Sequence, residues 1–200
     1  MSIHKSLVRS YHNTLSWCSN YFVSKTHVLS TGLRRGQWHD VPKTLLHGTM
    51  TALVDFIEIE QAWMYAISDE DLYKALPWWV KFSPTRAFIH WRSPTLGLSR
   101  LEWERNLRFS EDDPDGKLSD QALSAQAQLE LYMWWKTRPS RPDIHELSND
   151  EAAAVIKLKY PTLIEKYPGE AGWFMLDRAY DEEDTAALHR LINIRNHLWT

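Results

Sequence analysis

Residues 41–67 read VPKTLLHGTMTALVDFIEIEQAWMYAI, and they carry the strongest helix pattern in the chain. Asp40 precedes the run as an N-cap, and Pro42 stands in the first turn, where a missing backbone N–H is harmless. Apolar residues recur every three or four positions, as one buried helix face requires. These residues are Leu46, Met50, Leu53, Val54, Ile57 and Met64. We therefore predict one long amphipathic helix here.

The same reasoning extends the helical prediction to most of the chain. Apolar periodicity and capping residues predict further helices over residues 6–23, about 94–109, 120–137, 149–160 and 181–198. Residues 77–95 differ, because three prolines interrupt an aromatic-rich run, and we expect a short extended insert there. The fold class predicted is mostly α. We expect a single domain over residues 1–200, with an N-terminal helix and connector at 1–39 and the main helical bundle at 40–200.

Composition limits the classes of function. The single cysteine, Cys18, excludes an intrachain disulfide and a CxxC redox motif. No apolar run approaches the roughly 18 to 20 residues of a spanning helix, and the N-terminus lacks a signal peptide's apolar stretch, so we predict a cytoplasmic protein without a membrane partner. A net charge of −3 argues against extended duplex nucleic acid as a partner.

Charge is unevenly distributed along the chain. Residues 1–50 contain six Lys/Arg and one acid, whereas residues 111–200 contain ten Lys/Arg and seventeen acids. A basic start and an acidic end can attract each other within the fold or between copies. Together with the apolar stripe of residues 6–23, this split predicts a homo-oligomer.

Tryptophan is unusually frequent, with eleven in 200 residues and two adjacent pairs, Trp78-Trp79 and Trp134-Trp135. Adjacent residues on a helix point about 100° apart, so one helix face cannot bury both rings of a pair. We expect several indoles to serve recognition.

The best ligand-binding candidate is the basic aromatic segment around the second pair. An arginine fork holds phosphate oxygens while an indole stacks on a base, so the combination suits a nucleotide-like ligand. The candidate residues are Trp134, Trp135, Lys136, Arg138 and Arg141, and Arg34, Arg35 and Trp38 repeat the pairing. The alternative interpretation is structural, because arginine also stacks on tryptophan in protein interiors.

A second candidate lies on the helix 41–67. His47, Thr51, Asp55 and Glu58 follow one line at spacings of four, four and three. Asp55 and Glu58 could share a Mg²⁺ or Mn²⁺ ion, as carboxylates do in all-α metal sites. The alternative is a solvated or salt-bridged face. The chain has no phosphate-cradling glycine loop, no G-x-S-x-G and no H-E-x-x-H, so no other cofactor is predicted.

Four stretches carry a resemblance: Leu53–Trp63, Gly97–Glu104, Leu131–Asp143 and Asp184–Thr200, with Tyr-x-Trp-Trp-Lys…Arg-Pro and Leu-Trp-Thr the distinctive strings. Over these stretches the chain resembles a group of uncharacterised proteins encoded by tailed bacteriophages. The resemblance implies expression in the cytoplasm of an infected bacterium, where small phage accessory proteins bind host proteins, nucleotides or defence signals. The expected function is non-enzymatic binding of a host protein or a nucleotide-like small molecule. The alternatives are a metal-dependent all-α nucleotide hydrolase and a virion structural or assembly protein.

Overall fold

The computed structural model describes residues 10–14, 30–33, 36, 39–82, 91–108, 116 and 118–198. Over these residues the chain is mostly α-helical and contains no β-strand; an isolated antiparallel bridge joins Arg108 to Leu118. The mostly-α prediction is confirmed. None of the described helices is long and apolar enough to cross a membrane.

The helices are numbered in chain order. They are α1 (Val41–Asp55), α2 (Ala62–Ser68), α3 (Glu70–Ala75), α4 (Trp78–Phe82), α5 (Pro94–Glu104), α6 (Asp120–Thr137), α7 (Asn149–Lys159), α8 (Pro161–Lys166) and α9 (Gly172–Ile194). A π-helical segment, Phe56–Gln61, joins α1 to α2, and 3₁₀ turns occupy Arg138–Ser140, Ile144–Glu146 and Arg195–His197.

The chain divides into two compact units. The N-terminal unit is Met1–Leu129 with Thr200, and the C-terminal unit is Glu130–Trp199. The boundary falls inside α6, which is a continuous helix. No proline, glycine or charge run marks this position in the sequence, which is why the pattern of residues alone predicts one domain.

The N-terminal unit is built on the predicted helix 41–67, which runs from Val41 to Ser68 with the π-helical segment in its middle. Leu46, Met50, Leu53 and Ile57 are buried as predicted, whereas Met64 is exposed. Helix α5 packs against the π-helical segment at backbone distance. A Cβ atom on Gly97 would lie 2.1 Å from the Ile57 carbonyl oxygen, so only glycine permits this approach.

The expected extended insert is helical where the structure describes its first part. The Pro77 carbonyl oxygen accepts hydrogen bonds from Val80 N (3.0 Å) and Lys81 N (3.3 Å), which starts α4. The proline thus precedes a helix instead of preventing one, because its carbonyl remains a good acceptor. Residues 83–90 lie outside the described part of the chain, and residues 91–93 are non-helical.

Helix ends also differ from the predictions. Helix α5 ends at Glu104, five residues before the predicted end, and α9 begins at Gly172, nine residues before the predicted start. Helix α6 has the predicted bounds, with Ser119 Oγ accepting from Ala122 N at 3.1 Å. The N-terminal stripe lies outside the described residues except for 10–14, which are helical.

The C-terminal unit has its own apolar core. Buried side chains from α7, α8 and α9 form it: Ala152, Ile156, Leu163, Met175, Leu176 and Ala179. A capping box starts α7, because Ser148 Oγ accepts from Glu151 N (3.3 Å) and the Glu151 carboxylate accepts from Ser148 N (2.8 Å). A Cβ atom on Gly172 would lie 2.6 Å from Ala153 N, so α9 starts in close contact with α7.

Candidate functional site

The predicted basic aromatic segment lies in the C-terminal unit, at the end of α6. Its two arginines turn towards α9. Arg138 forms a bidentate pair with Asp184, with Nε–Oδ1 at 3.2 Å and Nη2–Oδ2 at 2.6 Å. Arg141 donates to the same carboxylate at 2.8 Å and also to Glu183. Both guanidinium groups thus contact acids of α9 that lie more than forty residues away in sequence.

The same guanidinium groups lie over aromatic rings. Arg138 lies 5.4 Å from the Trp135 ring centroid, and Arg141 lies 5.4 Å from that of Trp134 and 4.7 Å from that of Tyr180. Lys136 lies 5.2 Å from the Tyr132 ring. Each of the two arginine charges is therefore shared between carboxylates and ring faces of this unit.

Neighbouring groups complete this network. The Tyr160 hydroxyl donates to Glu183 Oε1 at 2.7 Å, and burial together with the Glu183 charge raises the pKa of Tyr160. With two guanidinium groups facing two carboxylates, the cluster has little positive charge left for a phosphate. The arrangement matches the structural interpretation of the sequence: it fastens the segment after α6 to α9. Arg34, Arg35 and Trp38 lie outside the described residues.

The predicted carboxylate pair lies in the N-terminal unit. Asp55 and Glu58 are both buried, and both contact Arg92, with Nη2–Oδ1 of Asp55 at 2.5 Å and Nη1–Oε2 of Glu58 at 3.3 Å. Burial alone would lower the pKa of Arg92, but the hydrogen bonds and charges of the two acids raise it. Ser93 N also donates to the Glu58 carbonyl at 2.8 Å, which fixes the segment that carries Arg92.

Of the two forms of the structural alternative, a solvated or a salt-bridged face, the contacts correspond to the salt-bridged one. A helix with 3.6 residues per turn would separate the polar line from the apolar face. The π-helical segment widens the turns at this point, and residues 53–59 are all buried. Among the described residues, no group of three His, Cys, Asp or Glu side chains could hold a metal ion. A guanidinium cation contacts the carboxylates that the metal hypothesis requires.

Several of the described tryptophans are exposed to solvent. Eight of the eleven tryptophans are described, and none of the eight is buried. Trp78, Trp103 and Trp173 are 72%, 50% and 42% exposed. The Arg100 guanidinium covers the Trp103 ring at 4.5 Å. Trp173 stacks on Phe174, with ring centroids 3.6 Å apart, and Phe174 is itself 53% exposed.

A cavity of about 310 Å³ lies beside Trp173 in the C-terminal unit. Its lining comes from the 3₁₀ turn Ile144–Glu146 with the residue after it, and from the first turns of α9: Ile144, His145, Leu147, Trp173 and Asp177. Asp143 Oδ1 accepts from His145 N at 3.0 Å and so fixes the turn. This site was not predicted from the sequence. The sequence signal for this site is the adjacent aromatic pair Trp173-Phe174 at the start of a helix, with the carboxylate of Asp177 four residues after the tryptophan.

Comparison with models of protein families, with characterised proteins and with solved structures finds no match to this chain.

Proposed function

We propose that this chain is a non-enzymatic binding protein of a tailed bacteriophage, acting in the cytoplasm of the infected bacterium on a host protein. The surface proposed to bind that protein consists of Trp173 and Phe174, at the start of α9. The observation that carries the proposal is that these two rings stack on each other while each remains about half exposed. The phage origin rests on the sequence resemblance alone.

Exposed adjacent aromatic side chains are typical of binding surfaces. Tryptophan is enriched among the residues that dominate interface energies, and contiguous apolar patches mark interaction sites. Covering the exposed parts of these two rings would bury roughly 200 Å², which corresponds to about 5 kcal/mol before the entropic cost of association. That is enough to make the pair a dominant contact in an interface of ordinary size.

A protein partner is favoured over a nucleotide-like ligand because of the arginine pairing. Arg138 and Arg141 contact Asp184 and Glu183, so a phosphate group would have to displace a carboxylate from each. Trp173 and Phe174 have no arginine or lysine over their rings among the described residues. Their surface suits an apolar or cationic partner better than an anionic one.

The test is affinity capture from bacterial extracts, followed by calorimetry with the purified partner. We expect the Trp173→Ala, Phe174→Ala double variant to lose binding by at least tenfold. Trp103→Ala removes an indole of similar exposure from the N-terminal unit, and it should retain binding. Equal affinities for the two variants would contradict the proposal. A nucleotide panel added in the same calorimeter would give heat if the nucleotide alternative were correct, and mass spectrometry of purified virions would detect the chain if it were a particle component.

A second candidate function, the metal-dependent nucleotide hydrolase, is favoured by one observation. Two buried carboxylates converge on one cation at a π-helical segment, and such segments occur frequently at functional sites. The hydrolase requires a Mg²⁺ or Mn²⁺ ion to replace the Arg92 guanidinium between Asp55 and Glu58. Nucleotide turnover with either ion, abolished in Asp55→Asn, would establish it, and absence of turnover across nucleoside triphosphates would exclude it.

A further inference from the structure

We infer that the cavity beside Trp173 binds the cationic end of a lysine or arginine side chain. The inference rests on the proposed function for the source of that side chain, a protein partner, but the cation site itself depends only on the residues that line the cavity. Asp177 supplies the charge, the Trp173 ring supplies a π-face, and Ile144 and Leu147 supply apolar walls for the methylene stem.

Asp177 is the charged group of the cavity. Its carboxylate is exposed and makes no hydrogen bond or ion pair with any described residue. By contrast, three other acids of α9 each form an ion pair with a Lys or Arg side chain: Glu182, Glu183 and Asp184. The adjacent Arg178 does not neutralise Asp177, because it pairs with Glu170 at 3.4 Å. The cavity therefore has one full negative charge without a counterion from the described chain.

Trp173 and Asp177 lie four residues apart on α9, so their side chains are neighbours on one side of the helix. A cation that contacts the carboxylate is therefore within reach of the indole ring as well. Phe174 stacks on the Trp173 ring, with centroids 3.6 Å apart. The negative face of an indole attracts a cation but not an uncharged group. A carboxylate and an indole at this spacing therefore select a cation over a neutral group of equal size.

The electrostatic surroundings also favour a positive ligand. The C-terminal unit has nine Lys/Arg against twelve Asp/Glu. Partial burial raises the pKa of Asp181, and the nearby charges of Asp177 and Asp184 raise it further. Near the other wall, the 3₁₀ turn contributes His145 and Glu146. A neutral imidazole has one acceptor nitrogen, so His145 could accept a hydrogen bond from an ammonium group. A bound cation would relieve the repulsion between Asp177 and Asp181.

The experiment is an NMR titration of the whole chain, following the tryptophan indole N–H signals. The Trp173 signal is assigned by its disappearance in Trp173→Phe. The probes are the blocked amino acids N-acetyl-lysine methylamide and N-acetyl-arginine methylamide, with N-acetyl-norleucine methylamide as the uncharged control. We expect a saturable shift of the Trp173 signal with a cationic probe and none with the norleucine probe. A lysine preference would indicate an ammonium site, and an arginine preference a stacked guanidinium.

Asp177→Asn keeps the shape of the side chain and removes its charge, and we expect it to weaken cation binding at least fivefold. Glu165→Gln makes the same change in net charge on α8 and should leave binding unchanged. Equal shifts from the norleucine probe, no shift from any probe, or unchanged binding in Asp177→Asn would overturn the inference. Cation binding without any captured host protein would remove the proposed function but leave the site. Host-protein binding that is unchanged in Asp177→Asn would leave the proposed function but remove the site.

Discussion

The Arg92 guanidinium is the counterion of two buried carboxylates, so its removal should destabilise the N-terminal unit. In Arg92→Met the apolar stem stays, but Asp55 and Glu58 both lose the guanidinium group that contacts them. Their side chains are 12% and 6% exposed, whereas that of Arg92 is 45% exposed. Breaking a fully buried pair costs about 3–5 kcal/mol, and an exposed pair contributes about 0–1 kcal/mol. Because Arg92 is half exposed, we expect Arg92→Met to lower the free energy of unfolding by about 2–3 kcal/mol, between those limits.

The assay is urea unfolding followed by tryptophan fluorescence. A matched variant combines Arg92→Met with Asp55→Asn and Glu58→Gln, which removes all three charges at nearly constant volume. If unpaired charge is the cause, this triple variant should recover most of the lost free energy of unfolding. A loss below about 0.5 kcal/mol in Arg92→Met, within the range of exposed ion pairs, would refute the reasoning. Unfolding of Arg92→Met is also measured in millimolar Mg²⁺. Recovery of the lost free energy of unfolding in the presence of the ion would show that the carboxylates hold metal, and it would favour the hydrolase.

Urea unfolding also measures the effects of other substitutions and of pH on stability. Gly97→Ala places a methyl group 2.1 Å from the Ile57 carbonyl oxygen and should lower the free energy of unfolding by at least about 2 kcal/mol. In Gly48→Ala the nearest neighbour of the new methyl group is 3.9 Å away, so this variant should be neutral or should stabilise the protein by up to about 1 kcal/mol. Ser148→Ala removes the cap of α7 and should cost about 1 kcal/mol. The pKa of Asp181 is raised, so its ionised form is disfavoured in the folded state, and native stability falls as pH rises through that pKa. Asp181→Asn should therefore stabilise the fold at neutral pH by about 0.2–0.5 kcal/mol, the size of a like-charge pair four residues apart, and give no gain in acid where the carboxyl is protonated.

Local sequence patterns were enough to predict several elements of this fold. The bounds of α6 follow from apolar spacing and from Ser119 at its start, and α7 follows from the Ser148 capping box. The π-helical segment could not be predicted in this way, because a period of 3.6 is assumed when a helix face is read. The buried acids Asp55 and Glu58 lie at the start of this segment.

Candidate site residues were predictable only as far as local patterns reach. The adjacency of Trp134 and Trp135, followed by two arginines, indicated an arginine–indole cluster, and the structure shows one. Its carboxylate partner Asp184 lies forty-six residues from Arg138, a pairing that tertiary packing determines and spacing does not. Arg92 is likewise thirty-seven residues from Asp55. These long-range ion pairs decide which cations remain available to a ligand.

Self-association remains a prediction, since the N-terminal stripe that motivates it lies almost wholly outside the described residues. Sedimentation velocity over a range of protein concentrations measures it directly. A homo-oligomer should sediment faster than a particle of 23.5 kDa, and its size should fall at high salt if the opposite charges of the two ends contribute.

The stacked Trp173–Phe174 pair is proposed as the recognition surface of this chain, and crosslinking tests that role most directly. Phe174 is replaced with a photo-crosslinking phenylalanine analogue, and the host bacterium that expresses the chain is irradiated. We predict one discrete covalent adduct that disappears when Trp173→Ala is added. The same analogue at Leu158, an apolar position 81% exposed on α7, should give no such adduct. No adduct from position 174, or identical adducts from both positions, would contradict this role.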